Sequence, residues 1–192
     1  MLPDLIRSVH ELAPLVKINT YQVDRHEIVL ELASGSLDFA IDIPQLAKSE
    51  LNAAKILQDR YVCVLRKSHP LARRRLTMQR YLALDHVVAT ARPHGPGIED
   101  MALERMGLGR RVAVRCQHAI TAWQIIAGSD MLYSLPRSHA EVLDAVWPMQ
   151  LLDLPLPVDR GGTYLYWHQA AQADPALEWL RRIIIDEMAK PD

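Results

Sequence analysis

The sequence predicts an α/β protein built on parallel or mixed sheets with helices on both faces. Three observations carry this. Short apolar runs such as "YVCVLR", "HVVAT" and "TYLYWH" alternate with stretches whose apolar residues recur at helical spacing. Polar helix-starting residues stand directly behind strand-like runs, as in "VRCQHAITAWQIIAGSD" (114–130). Gly and Pro mark the ends of several helices and the loops between elements.

Taken in order, Leu2, Leu5, Ile6, Val9 and Leu12 make a first helix that Pro14 closes. "VKINTYQV" (16–23) reads as a strand. Asp24, three before Glu27, gives a capping-box start to a helix over 25–34, which Gly35 ends. "LDFAIDI" (37–43) has the pattern of a buried parallel strand end. "YVCVLR" (61–66) is a strand, followed by the turn "KSHPLARRR", a short helix over 78–84 and the strand "HVVAT" (86–90). "ARPHGPG" (91–97) is a loop, and Ile98, Met101, Ala102 and Met106 form a helix that stops at Gly107. "RVAVRC" (111–116) alternates as a strand, Ala119–Ala127 is a helix ending at Gly128, and "MLYSL" (131–135) is a strand. Ser138 and Glu141 cap the next helix. "MQLLDL" leads to a proline-rich linker (155–159), then the strand "TYLYWH" (163–168). Asp174 as N-cap and Pro175 at the first helical position launch a last helix to Ala189, with the stripe Leu177, Leu180, Ile183, Ile184 and Met188.

A chain of 192 residues suits one large domain or two small lobes. Its net charge of −1 provides no basic footprint for DNA, and Arg73-Arg74-Arg75 reads as a solvated turn. Cys63 and Cys116 fall in apolar strands, as buried thiols do in a reducing cytoplasm. No apolar run of membrane-spanning length and no signal-like segment appears in it.

No nucleophile elbow, phosphate loop or metal-ligand spacing is present; "HGPGIED" carries Asp100 where a dinucleotide loop needs its third Gly. What remains is geometric. Ligands of open α/β sheets settle at strand carboxyl ends, where helix N-termini attract anions. "TARPHGPG" and "CQHAIT" are such junctions, and each puts a histidine, His94 or His118, ahead of a helix. Either histidine alone reads first as a helix cap or surface residue, and the two junctions in the same half of the chain raise the pocket reading level with that one. Among Tyr164, Tyr166, Trp167 and His168, two should face the core and two could line a cleft. Asp42 either lines that cleft or caps the next turn.

The ordered segments "LPDLIRSVHELAP", "LELASGSLDFAI", "YVCVLRKSHPLARR-LTMQRYLALDHVV", "GSDMLYSLPRSHAEVL" and "LYWHQAAQADPALEWLRRII" resemble the effector-binding domain of LysR-type transcriptional regulators. "DFAIDIP" and "RYVCVLRKSHPLA" look most like the branch that senses aromatic compounds and plant-derived inducers. The resemblance implies a two-lobed fold of the periplasmic-binding-protein type, with residues 1–60 plus 165–192 as lobe one and 61–164 as lobe two. "YVCVLR" and "TYLYWH" would be the hinge strands, and a small aromatic or carboxylated co-inducer would lie between the lobes. Mapped onto this sequence, the effector residues are Asp42, Thr90, His94, Gln117, His118 and Thr121, with Tyr166 packing against the ligand. The implied partners are that effector and further copies of the chain, as homodimer or homotetramer, joined through residues 4–23. No cofactor, metal or membrane is implied.

The family's winged helix-turn-helix lies outside these residues, so DNA contact is expected only through such an N-terminal domain. The family's first lobe-one strand and its loop are likewise expected ahead of "LPDLIRSVHELAP", which would leave the lobe-one sheet with an unpaired edge. Two rivals share the architecture. One is a stand-alone solute-binding protein of a transporter, which is exported. The other is a cyclohexadienyl dehydratase-like enzyme, with Asp42 and His118 as acid and base.

Overall fold

The computed structural model describes residues 2–42, 49–90, 95–158 and 162–189. The chain divides into two units, Met1–Gln58 with Gly161–Asp192, and Asp59–Arg160. In the first, an antiparallel sheet runs in the order β1 (Ala40–Asp42), β8 (Gly162–His168), β2 (Leu51–Gln58). On β8, Leu165 and Trp167 face α1 (Leu2–Leu12) and α7 (Pro175–Ala189), sharing a core with Leu5, Val9, Ile56, Ile184 and Met188. Tyr164 and Tyr166 face the other way, onto Ile28 and Leu32 of α2 (Ile28–Ser34) and onto Ala40. Both faces of β8 are therefore covered, so the residues from Leu165 to Trp167 are all buried. Asp174 caps α7 as expected, its Oδ1 accepting the N–H groups of Ala176 (2.9 Å) and Leu177 (3.0 Å).

The second unit holds a mixed five-stranded sheet in the order β5 (Arg111–Cys116), β4 (Asp85–Ala89), β6 (Leu132–Pro136), β3 (Tyr61–Leu65), β7 (Gln150–Asp153). β4 runs parallel to β5 and β6, and β3 runs antiparallel to β6 and β7. One face packs Val62, Val64, Val87, Tyr133 and Leu135 against α5 (Ala119–Ala127) and α6 (Arg137–Val146) through Trp123, Ile126 and Ala140. The other packs Cys63, Leu65 and Leu132 against Tyr81 of α3 (Met78–Leu82) and Leu103 of α4 (Ile98–Glu104). Val62 to Leu65 have no exposure at all, which explains why that run is unbroken by polar residues.

Several expectations are corrected. Residues 16–23 form no strand: the alternating pattern is there, but among the described residues nothing pairs with it, and a strand exists only through its ladder. Asp24 builds an Asx turn on the His26 N–H (3.0 Å) rather than a capping box, and α2 begins only at Ile28. The strand near 37–43 shrinks to β1, which is antiparallel rather than parallel. β2 has a single β-branched residue, Ile56, and the β8 ladder overrides its weak propensity. Ser138 does not cap α6: its N–H donates to Asp59 Oδ2 at 2.9 Å, so the cap comes from a distant residue. Gly35 and Gly107, at φ of 75° and 68°, end their helices in the left-handed conformation as expected.

"RKSHPLA" acquires a structural reason. His69 is buried, its Nδ1 accepts the Leu71 N–H (2.9 Å), and its Nε2–H therefore donates to the Asp130 carbonyl (3.2 Å). One ring thus ties the turn after β3 to the turn before β6. Removing the buried ring and both of its bonds in His69→Ala should cost about 2 kcal/mol, read as a lower urea midpoint with unchanged slope.

Candidate functional site

The parallel pairing of β4 with β5 places Ala89 opposite Cys116, so Thr90 and Gln117 leave the sheet side by side. The Thr90 N–H donates to the Cys116 carbonyl (2.8 Å), extending the ladder by one bond. His118 is the N-cap of α5, with extended backbone (φ −116°, ψ 136°) and no side-chain cap bond. Its carbonyl accepts the Thr121 and Ala122 N–H groups at 3.1 and 3.2 Å. Gln117, His118 and Thr121 are exposed. Four of the expected residues, Thr90, Gln117, His118 and Thr121, are therefore gathered around one helix start; His94 lies outside the described residues.

The three helices that follow the parallel strands differ at their starts. At α4, Asp100 Oδ2 accepts the Gly97 N–H at 2.7 Å, and Glu99 adds a second first-turn carboxylate. At α6, Asp59 answers the first turn. α5 has no acidic residue in its first turn and no side-chain cap. A helix start of this kind carries a partial positive charge, which attracts anions.

Asp100 does more than cap. Its Oδ1 accepts Arg110 Nε at 2.6 Å, while Arg110 Nη1 donates to the Tyr81 hydroxyl at 3.0 Å and Nη2 lies 3.5 Å from Glu99 Oε2. Arg110's side chain is only 1% exposed, so two carboxylates share one buried guanidinium that ties the loop before α4 to the helix before β4. Burial pushes the Asp100 carboxyl up, but the bonds from Arg110 and the Gly97 N–H outweigh it and hold it below the ordinary range. Burial wins at the more deeply placed Glu99, whose carboxyl is raised despite Arg110. The Cys63 thiol is pushed up to about 12 by burial, which leaves it protonated and inert.

In the first unit, Asp42 is engaged. Its two oxygens accept Arg25 Nε at 2.7 Å and Nη2 at 2.5 Å. Tyr166 is 6% exposed beneath α2, while its neighbour Tyr164, with ring centroids 6.1 Å apart, is half-buried. Asp42 belongs to the first unit and His118 to the second. Sequence reasoning missed Arg25, Asp59 and Arg110, whose partners are remote or read as something else. Asp100 offered a signal: it stands three after Gly97, the spacing of a capping carboxylate. Among the described residues no group of three His, Cys, Asp or Glu side chains could hold a metal ion, and no helix is long and apolar enough to cross a membrane.

Residues 1–189 match the family model described as the LysR substrate binding domain. The chain belongs to this family. It is 25% identical over 185 residues to the HTH-type transcriptional activator NagR of a Ralstonia species and 26% identical over 185 residues to NahR of Pseudomonas putida. Each alignment covers 96% of this chain and 62% of the relative, so the LysR domain spans under two thirds of their length. The crystal structure of a probable transcriptional regulator, PA0477 of Pseudomonas aeruginosa, superimposes with a TM-score of 0.88 at 30% identity, covering 96% of this chain and 62% of that one. These relatives are transcriptional regulators, not enzymes, and the fold is the two-lobed periplasmic-binding-protein-like type of LysR effector-binding domains.

His86 supplies a pH test of the buried network. It has no exposure, its Nε2–H donates to the Tyr81 carbonyl (2.9 Å), and burial depresses its pKa from 6.5 to about 4. The unfolded chain takes up that proton first, so the stability is present above about pH 6.5 and is lost as pH falls towards 4. In His86→Asn, the slope of unfolding free energy against pH in this window should be shallower, by up to one proton, in denaturant titrations.

Proposed function

We propose that the chain is the effector-sensing and self-associating part of a cytoplasmic LysR-type regulator, and that it binds a small aromatic or carboxylated co-inducer. The observation that carries this is the α5 start: exposed Gln117, His118 and Thr121 surround a helix N-terminus that no carboxylate among the described residues answers. Thr90 joins this polar set, and His94, four positions on in the sequence and outside the described residues, is assigned to it from the sequence alone. Activators among the relatives support a regulatory role over that of a transporter's solute-binding protein. Binding shifts the equilibrium between arrangements of the protein in proportion to its differential affinity for them. DNA contact belongs, in this reading, to an N-terminal domain outside these residues.

Self-association as homodimer or homotetramer has its candidate surface on α1 and beyond, where Leu2, Ile6, Leu12, Leu15 and Tyr21 are exposed between 40% and 93%. Ile6→Glu should move the protein towards monomer in sedimentation at micromolar concentration.

A thermal-shift screen of benzoates and cinnamates tests the effector reading, because a ligand of the folded state raises the melting temperature. His118→Ala should weaken the best acid several-fold by calorimetry. An unchanged affinity removes His118 from the site, and a screen in which no acid binds removes the reading.

A further inference from the structure

We propose that Arg25 is a second anion-binding residue, held in place by Asp42 to take the carboxylate of a planar aromatic acid, with Tyr164 as the surface beside its ring. This rests on the reading of the chain as a sensor of a small acid. Asp42 closes β1, the carboxyl end of its strand, and its side chain is 15% exposed. It accepts from the Nε and Nη2 of Arg25, at 2.7 and 2.5 Å, and so occupies one edge of the guanidinium. A guanidinium has a second edge suited to paired acceptors, formed by Nη1 and the outer hydrogen of Nη2. Among the described residues nothing accepts from that edge, and the side chain is 39% exposed.

Asp42 itself is therefore a positioning residue rather than a ligand contact. An arginine free to rotate loses several torsions when it captures an anion; this one is already fixed by a bidentate bond, so less is lost on binding. The local charge is balanced by Asp42, so attraction comes from the planar fork more than from net charge. That favours a flat monocarboxylate over phosphate.

Tyr164 is the cross-strand partner of Asp42 and lies on the same face of the sheet. Tyr166, two residues on, is sealed beneath α2, which leaves Tyr164 as the outer ring of the pair. A half-buried phenol on the residue paired with Asp42, the anchor of the guanidinium, is placed to give an aromatic acid a ring contact while Arg25 takes its carboxylate.

The test is calorimetric titration of benzoate, cinnamate, their neutral amides and inorganic phosphate into the wild-type chain and four variants, each checked for folding by circular dichroism. Wild type should bind the better acid at least tenfold tighter than its amide. Arg25→Gln and Arg25→Lys should each cut that preference several-fold, the second because lysine keeps the charge without the fork. Asp42→Asn should lower acid affinity several-fold and raise phosphate affinity, a change that a purely structural ion pair would not produce. Full acid affinity in Arg25→Lys overturns the proposal, whether or not Arg25→Gln folds. If that occurs while His118→Ala weakens binding, Arg25 is excluded and the sensor reading stands; if wild type binds none of the acids, both fall.

Discussion

The parallel register of β4 with both β5 and β6 is the constraint on which the candidate site depends. Parallel strands bring their carboxyl ends to one edge of the sheet, and their connections must then descend as helices. Thr90, Gln117 and His118 are neighbours only because Ala89 and Cys116 are paired partners. A one-residue slip would turn His118 and Thr90 away from each other and move Val87 and Val114 to the opposite face of the sheet, away from α5.

That register is held by burial more than by propensity. β3, antiparallel between β6 and β7, has no exposed residue from Val62 to Leu65, and α5 and α6 press on one face through Trp123, Ile126 and Ala140. The polar interactions divide the labour. Asp59 and Asp100 satisfy the starts of α6 and α4, Arg110 fixes Asp100, and among the described residues no carboxylate or side-chain cap meets the α5 start. Two helices thus set their dipoles against carboxylates of the protein itself, and the third does not.

Much of the fold was legible in the chain. α1, α5, α7, β3 and β5 follow from periodicity and from helix punctuation by Pro14, Gly128, Asp174 and Pro175. Legibility failed wherever an element depends on a partner. Residues 16–23 alternate like a strand yet have no ladder, whereas "LNAAKILQ" has little strand propensity yet pairs along its length with β8. The caps followed the same rule: Asp174 acts on residues two and three ahead and was readable, but Asp59 caps a helix 79 positions away.

By itself the sequence determined the alternation of strands and helices, the family and the loops where polar residues leave the sheet. These are local properties, set by spacing and composition within about ten residues. Only the tertiary structure decided that Asp42 is bound to Arg25, that Tyr166 is sealed while Tyr164 is not, and that among the described residues α5 alone of three helices has no carboxylate at its start. Each of those depends on which distant side chain arrives first, and no periodicity records that.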